Sequence, residues 1–409
     1  MKVRNLEPEI VWNHFEDLNS IPRPSKKEER VIAFMRKFGE DNNLSTYVDS
    51  AGNVIIKKPA SEGMENRKTV ILQSHLDMVH QKNSDTIFDF ENEGIKMFVD
   101  GDWVTAEGTT LGADNGIGVA AIMSLLSSST IAHPALEALF TIDEETGMTG
   151  AFELEKGILD GEILLNLDTE DDDEFSIGCA GGIDTNSFYA YQKVSTQSSE
   201  FAFELSVKGL KGGHSGMDIH LERGNANKIM NRLMIELVDF GIKIVSIDGG
   251  SLRNAIPRES FASIIINDEN AIYRLEHLIA NIKKEFAISD GDLAISYEKI
   301  ILPSQSMSHS DSLKVINSIA AVHNGVFRMS SAIEGLVETS SSLARVIVSD
   351  GNFHTQSLQR SSVDSSKMDI ASTVGAVFKL MGASVEHTGS YPGWAPNPKS
   401  EILEIMKPL

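Results

Sequence analysis

Side chains that can bind a divalent metal ion recur where short apolar runs of the sequence end. They are His75 at the end of the run 69–75 and Asp77 just beyond it, Glu144 and Glu145 after the run 136–143, and Asp168 at the end of the run 162–168. In an open α/β sheet, ligands bind beyond the carboxyl ends of the strands, so we expect these side chains to meet at one sheet edge. Several carboxylates at one edge would repel one another unless cations neutralised them. The pattern therefore predicts a metal centre.

The spacing of these residues suggests separate tasks. Asp77 and His75 are two residues apart on an extended chain, so they project to the same side and the carboxylate can orient the imidazole. Asp114 lies in the glycine-punctuated turn T-L-G-A-D-N-G-I-G, which leads into a predicted helix. Nitrogen and oxygen ligands without thiolate fit Zn²⁺, with Mn²⁺ and Co²⁺ as alternatives, and two ions could share one carboxylate. A free glutamate beside them could accept a proton from bound water.

Each of these residues taken singly has an ordinary structural explanation. His75 could be a hydrogen-bonded core histidine, and Glu144 and Glu145 could belong to a solvated loop. Asp114 could be a turn former or a helix N-cap. The glycines around it resemble a phosphate loop only superficially, because the Lys-Ser/Thr pair of a Walker motif is missing. The joint occurrence at successive strand ends favours the metal centre.

The elements that would carry these residues form two α/β domains. Apolar strands alternate with amphipathic helices in the first part of the chain, which predicts a mostly parallel sheet covered by helices. The predicted helices there span 28–40, 115–128 and 149–157. Strand patterns and a helix pattern then predict a second, inserted α/β domain, with strands at 201–210 and 261–268 and a helix at 225–240.

The expected domain boundaries follow from these changes in pattern. We expect residues 1–185 to begin the catalytic domain, 186–385 to form the inserted domain, and 386–409 to return to the catalytic domain. Three prolines and a glycine in Y-P-G-W-A-P-N-P (391–398) predict a turn or linker within this return segment.

Length and composition limit the possible partners and the compartment. With 409 residues, 41% hydrophobic and 23% charged, the chain is typical of a globular protein of several domains. A net charge of −23 disfavours nucleic acid and anionic membranes as partners. The single cysteine excludes an intrachain disulfide, and the charged N-terminus lacks the apolar core of a secretory signal. These features predict a cytoplasmic protein.

Five motifs occur along the chain in a fixed order: S-H-L-D-M-V, G-T-T-L-G-A-D-N-G-I-G-V-A, D-E-E-T-G-M-T-G-A, L-L-N-L-D and K-G-G-H-S-G-M-D-I-H. In this order they resemble the dizinc exopeptidase superfamily of carnosinases, aminoacylases and glutamate-releasing carboxypeptidases. The resemblance extends over essentially the whole chain. It implies two divalent metal ions, zinc above all, in the predicted centre.

The resemblance also assigns a role to each residue of that centre. Four residues would be metal ligands: His75 and Asp168 for one ion, Glu145 for the other, and Asp114 as the bridge. Glu144 would be the general base, and Asp77 would orient the histidine. The peptide bond between Asp114 and Asn115 would be cis, as it is in this superfamily.

The second domain is similar to the lid and dimerisation domain of the superfamily, which implies a homodimer. There His214 in G-G-H-S-G would stabilise the substrate oxyanion, Asn254 in L-R-N-A-I-P would contact the substrate backbone, and Arg360 in L-Q-R-S-S would bind the substrate carboxylate. The ordinary alternatives are an exposed turn residue, a capping side chain and a surface ion-pair partner, respectively.

The implied activity is metal-dependent hydrolysis of unblocked dipeptides, including Xaa-His dipeptides of the carnosine type, without a covalent intermediate. An arginine on the C-terminal carboxylate would limit the substrates to short peptides. The alternatives are an aminoacylase or deacetylase on the same scaffold and a catalytically silent, truncated homologue. The last alternative arises because chains of the superfamily continue past Y-P-G-W to a final histidine ligand, whereas this chain stops at Leu409. We therefore expect the 409-residue chain by itself to bind the second ion weakly and to have little or no dipeptidase activity.

Overall fold

The structure is a computed structural model that describes residues 2–169 and 174–407. The chain divides into two compact units, one up to Phe175 and the other from Ser176 onward. Within the described residues, no helix combines the length and the apolar character needed to cross a bilayer.

The first unit consists of helices around a central sheet. Its helices are α1 (Glu9–Asn19), α2 (Glu29–Asp41), α3 (Ala113–Ser127) and α4 (Thr149–Phe152), with a 3-10 helix at Val3–Asn5. Its strands are β1 (Ser45–Val48), β2 (Val54–Lys58), β3 (Val70–His75), β4 (Met97–Asp100), β5 (Trp103–Ala106), β6 (Leu136–Thr141) and β7 (Ile163–Asn166). Strands β4 and β5 form a separate antiparallel pair.

The central sheet has the strand order β1-β2-β6-β3-β7. Strand β3 pairs in parallel with both β6 and β7, as the α/β interpretation expects. The pairs β1-β2 and β2-β6 are antiparallel, so the whole sheet is mixed and the parallel part is confined to the three strands that end in ligand-type residues. Parallel alignment brings the carboxyl ends of those three strands to the same edge.

The two faces of this sheet are covered differently, because successive side chains of a strand point to opposite faces. Helices α1, α2 and α3 pack on one face, where Val31 and Met35 of α2 are buried one turn apart. The other face is covered by Leu154, Ile158 and Leu159 from the loop after α4. The expected helix over 149–157 is therefore only one turn long, and the residues after it cover the sheet as a loop.

The second unit is built on a larger antiparallel sheet. Its main strands are β8 (Gly181–Ala190), β10 (Phe201–Lys208), β12 (Lys243–Gly249), β14 (Ser260–Ile266), β15 (Ala294–Ile300), β17 (Gly325–Met329), β18 (Val337–Ser349), β19 (Asn352–Ser361) and β20 (Ser384–Tyr391). The short strands are β9 (Lys193–Ser195), β11 (Gly213–His214), β13 (Ala255–Ile256) and β16 (Gln305–Met307). The main sheet has the order β15-β10-β14-β12-β18-β19-β8-β20, and β17 also pairs with β18.

Helices pack on this sheet to form the larger core of the protein. They are α5 (Ala226–Glu236), α6 (Arg274–Glu285), α7 (His309–Ala321) and α8 (Asp364–Leu380). The unit also contains α9 (Glu401–Met406) and 3-10 helices at Ile219–Leu221, Val238–Phe240 and Glu269–Tyr273. Leu233 of α5, Ile316 of α7 and Val374 of α8 are fully buried against apolar strand residues such as Ile264 and Val348. Burial of these side chains is the main stabilising contribution to such a unit.

The domain boundaries differ from the expected ones. The chain divides between Phe175 and Ser176 rather than after residue 185, because β8 begins at Gly181 and pairs along its length with β19. The segment 386–409, expected to return to the catalytic domain, groups with the second unit instead, because β20 pairs with β8 and residues from Ser176 onward belong to that unit. Backbone hydrogen bonds between distant strands cause both differences. Tyr391, expected in a linker, is the last residue of β20.

Candidate metal centre

The carboxyl ends of β3, β6 and β7 bring five candidate residues together. Nε2 of His75 lies 3.0 Å from Oδ1 of Asp114, 3.8 Å from Oδ1 of Asp168 and 4.0 Å from Oε2 of Glu144. These residues form two sets of three, and within each set the potential ligand atoms lie within 4.8 Å of one another. One set is His75, Asp114 and Asp168, and the other is His75, Glu144 and Glu145. The four acidic residues line one cavity of about 620 Å³. The geometry therefore matches the predicted grouping.

Asp77 is the buried carboxylate behind the histidine. Its Oδ1 lies 3.3 Å from Nδ1 of His75, and its backbone carbonyl oxygen lies 3.1 Å from the same nitrogen. Both oxygen atoms are acceptors, so Nδ1 carries a proton, and Nε2 is the nitrogen whose lone pair faces the cavity when the ring is neutral. This is the tautomer that a metal ligand of this kind requires.

The same Asp77 carboxylate holds the loop after β6. It accepts hydrogen bonds from the backbone N–H of Glu144 at 3.0 Å and of Glu145 at 3.3 Å, and from the hydroxyl of Ser25 at 2.8 Å. Burial would raise the pKa of Asp77, but the hydrogen bonds, with that from His75 first, outweigh burial and lower the pKa. Asp77 therefore stays ionised and connects the ends of two strands.

Asp143, which also follows β6, has a structural task. It is buried, adopts a left-handed backbone conformation with φ of 52°, and accepts hydrogen bonds from the hydroxyls of Thr146 and Thr149. Its backbone N–H donates to the buried carboxylate of Glu28 at 3.1 Å. These contacts fix the loop that carries the two glutamates.

The first turn of α3 positions Asp114 and Asp168. The Asp114–Asn115 peptide bond is cis, as expected. The side-chain amide of Asn115 donates to the backbone carbonyl of Leu167 at 2.6 Å and to the carboxylate of Asp168. Asn115 therefore orients Asp168, a task that the sequence did not reveal.

Arg23 was also missed by the sequence analysis, although it lies directly behind the site with an exposed fraction of 1%. Its guanidinium donates to four oxygen atoms: Leu76 O at 3.1 Å, Asp77 O at 3.2 Å, Gly112 O at 2.5 Å and Asn19 Oδ1 at 2.9 Å. Burial lowers the pKa of Arg23 to about 10, while nearby carboxylates, Asp77 first, oppose this shift. The side chain is still protonated at neutral pH and joins the end of β3 to the turn before α3.

The electrostatics of the cavity favour a bound cation. Burial and neighbouring carboxylates raise the pKa of Glu144, Glu145 and Asp168, although His75 opposes the shift. Burial lowers the pKa of His75, but its hydrogen bond to the Asp77 carboxylate and the charges of the surrounding carboxylates outweigh burial and raise the pKa to about 9. A divalent cation would relieve this repulsion, and imidazole nitrogen with carboxylate oxygen is a donor set that suits it. The residues present therefore fit a metal ion.

The three residues expected to bind substrate lie in the second unit and are brought together there. His214 pairs with Ala255 across β11 and β13, and the N–H of Ser215 donates to the carbonyl of Asn254 at 2.8 Å. The Asn254 side chain is exposed. Nη2 of Arg360 lies 3.4 Å from Nε2 of His214.

The hydrogen bonds of His214 determine its tautomer. Its Nδ1 accepts from the backbone N–H of Gly216 at 3.3 Å and of Met217 at 3.1 Å, so the neutral ring carries its proton on Nε2. Burial and the positive charge of Arg360 lower the pKa of His214, and Asp218 opposes them. The facing nitrogens of His214 and Arg360 are therefore both donors. Their arrangement is suited to an anionic oxygen that accepts from both.

An edge of an α/β sheet that gathers a histidine, its orienting carboxylate and four further acids is typical of a hydrolytic metal centre. A family model described as "Peptidase dimerisation domain" matches residues 205–288, which lie in the second unit. The cytosol non-specific dipeptidase of Escherichia coli (strain K12) is 39% identical over 99% of this chain and 84% of its own length. The chain belongs to the M20 peptidase family.

Two solved structures support the same fold. The aminoacylhistidine dipeptidase of Vibrio alginolyticus is 42% identical, covers 99% of this chain and 84% of its own, and superposes with a TM-score of 0.95. The aminopeptidase PepT of Bacillus cereus ATCC 10987 is 16% identical over 98% of this chain and 81% of its own, with a TM-score of 0.52, and shows the fold alone. The predictions of an α/β fold and of a hydrolase are confirmed.

Proposed function

We propose that this chain is a metal-dependent dipeptidase that acts on unblocked dipeptides, Xaa-His dipeptides among them. The observation that carries the proposal is the meeting of His75, Asp114 and Asp168 around one point, with Glu144 beside them. The names of the Escherichia coli and Vibrio alginolyticus relatives support the substrate class.

The proposed cofactor is a pair of divalent ions, zinc in the first place and manganese or cobalt as alternatives. His75 and Asp168 would hold one ion, Glu145 would hold the other, and Asp114 would bridge them. Ions bound there would supply Lewis acidity toward a peptide carbonyl and lower the pKa of water.

Glu144 is the proposed general base. Its side chain is half-buried at the cavity, and its backbone N–H donates to Asp77, which fixes the position of the residue. Glu144 does not belong to the set of potential ligands formed by His75, Asp114 and Asp168. Burial raises the pKa of Glu144, which improves its ability to return a proton to the leaving amine after taking one from the attacking water. Asp77 orients His75 in this proposal.

The second unit would bind the substrate and a second copy of the chain. Nε2–H of His214 and the guanidinium of Arg360 are donors for substrate oxygens, and Asn254 would contact the substrate backbone. The match to a peptidase dimerisation domain supports a homodimer through this unit, and hence a lid and dimerisation role. The cytosolic location named for the Escherichia coli relative supports a cytoplasmic protein.

The test is hydrolysis of a panel of substrates after removal of metal and reloading with Zn²⁺, Mn²⁺ or Co²⁺. We expect turnover of dipeptides with a free α-amine and loss of turnover in the metal-free protein. N-acetyl amino acids test for an aminoacylase, because they carry no free α-amine. Preferential cleavage of these, or no cleavage of any dipeptide at full metal loading, would overturn the proposal.

A further inference from the structure

The guanidinium of Arg360 donates one hydrogen bond to a tyrosine two strands away on the same face of the sheet. Its Nη1 donates to the hydroxyl of Tyr391 at 3.0 Å. Its Nη2 faces the donor nitrogen of His214, and its Nε is buried without a hydrogen-bond partner among the described residues. Nη1 is thus anchored and Nε is enclosed, so Nη2, beside Nε2 of His214, is the nitrogen of the fork left for a ligand.

Tyr391 can reach Arg360 because the strand between them carries no side chain at that level. Arg360 of β19 pairs with Gly182 of β8, and Gly182 pairs with Tyr391 of β20. A Cβ on Gly182 would lie 2.5 Å from the Tyr391 hydroxyl oxygen and 2.6 Å from Cε1 and Cζ of the ring. The tyrosine ring therefore crosses directly over the glycine. Any larger residue at 182 would block it.

The end of β20 is fixed by a buried charge. Lys367 of α8 has an exposed fraction of 3% and donates to the backbone carbonyl of Tyr391 and to Oδ1 of Asp364. The same Asp364 oxygen accepts the N–H of Gly393 at 3.1 Å. Burying an ammonium group is costly, so these contacts hold Tyr391 at a defined place.

We propose that Tyr391 is a positioning residue for substrate selection: its hydroxyl holds Arg360 so that Nη2 of the guanidinium faces the free carboxylate of a short peptide. The proposal rests on the proposed dipeptidase function and deepens it. Without the hydroxyl, the long arginine side chain regains rotamers that must be lost again on binding. Loss of the hydroxyl therefore weakens the binding of the substrate carboxylate.

The test is the variant Tyr391→Phe, with Tyr297→Phe as the matched control, because the hydroxyl of Tyr297 on β15 donates to the exposed carboxylate of Glu276 at 3.2 Å. We expect Tyr391→Phe to raise KM for dipeptides about tenfold and to change kcat less than about twofold. The preference for a dipeptide over its C-terminal amide should fall by a similar factor. In an Arg360→Met background the same tyrosine change should have no further effect.

An unchanged KM and an unchanged preference for the free carboxylate in Tyr391→Phe would overturn the inference. A tenfold rise in KM on adding Tyr391→Phe to Arg360→Met would also overturn it. A second readout does not depend on turnover: the Arg360 Nε–H signal in NMR spectra should move in Tyr391→Phe and stay in Tyr297→Phe. If the parent protein cleaves no dipeptide, the proposed function fails, whereas an unmoved signal contradicts the positioning role itself.

Discussion

Oδ1 of Asp77 lies 3.3 Å from Nδ1 of His75, on the side of the ring that faces away from the cavity. This contact leaves Nε2 as the nitrogen that faces Asp114 and Asp168. The same carboxylate accepts the N–H of Glu144, so one buried group sets both the tautomer of the histidine and the position of the proposed base. Asp77, on the side of His75 away from the cavity, therefore positions both groups.

Asp77→Asn should weaken metal binding without unfolding the protein. The asparagine amide cannot accept all the hydrogen bonds that the Asp77 carboxylate accepts, so His75 loses the partner that fixes its tautomer. Loss of such a partner typically lowers metal affinity by about 10- to 100-fold. Competition with a chromophoric chelator measures the affinity. Asp89→Asn, at an exposed loop of the same unit, is the control. Equal affinity in both variants would contradict the role of Asp77.

Glu144→Gln and Glu145→Gln should have different effects. If Glu144 transfers the proton, its glutamine variant should retain metal near the parent level and lose at least about 100-fold in kcat. If Glu145 is a ligand, its glutamine variant should lose one equivalent of metal. Elemental analysis of the purified proteins, with dipeptide hydrolysis, separates the two. Equal metal loss in both variants would show that the roles are wrongly divided.

The residues that bind the proposed metal ions were predictable because their signal is local. All but Asp114 lie at the end of an apolar run, and parallel strands bring such positions to one edge whatever the rest of the fold does. Arg23 gives no such signal, since its acceptors are mainly backbone carbonyls whose position depends on distant strands. The place of Tyr391 was missed for the same reason: it depends on β20 pairing with β8 across almost the whole second unit. Non-local pairing also sets the division between the two compact units at Phe175, ahead of the boundary that the sequence pattern predicts after residue 185.

Arg23→Met should destabilise the first unit and loosen the metal centre. The change leaves four oxygen atoms without their buried donor, which should cost about 3 kcal/mol in the free energy of unfolding. Arg36→Met is the control, because Arg36 is exposed and pairs with Glu40 one turn away, so its loss should cost under about 0.5 kcal/mol. Arg23→Lys keeps the charge with fewer donors and should fall between them. Denaturant unfolding of the metal-free proteins checks this order, and equal stability of the two methionine variants would contradict it.

The last prediction concerns the titration of His214. Burial first, and then the charge of Arg360 across 3.4 Å, lower the pKa of His214 below its ordinary value of 6.5. Removing that charge in Arg360→Met should therefore raise the pKa, because protonated His214 no longer meets a neighbouring cation. The unfolded chain takes up this proton at a higher pH than the folded chain, so the contribution of His214 to stability is lost as the pH falls below about 6.5. Arg360→Met should reduce that loss.

NMR titration of the imidazole nitrogens measures the pKa of His214 and also reports its tautomer. The neutral ring should keep its proton on Nε2 in both proteins, because Gly216 and Met217 still donate to Nδ1. Lys208→Met, with the lysine over the ring of Phe261, is the control for a general effect of lost positive charge. A pKa that stays fixed in Arg360→Met, or a proton found on Nδ1, would mean that the two side chains do not form a pair of donors facing the same acceptor.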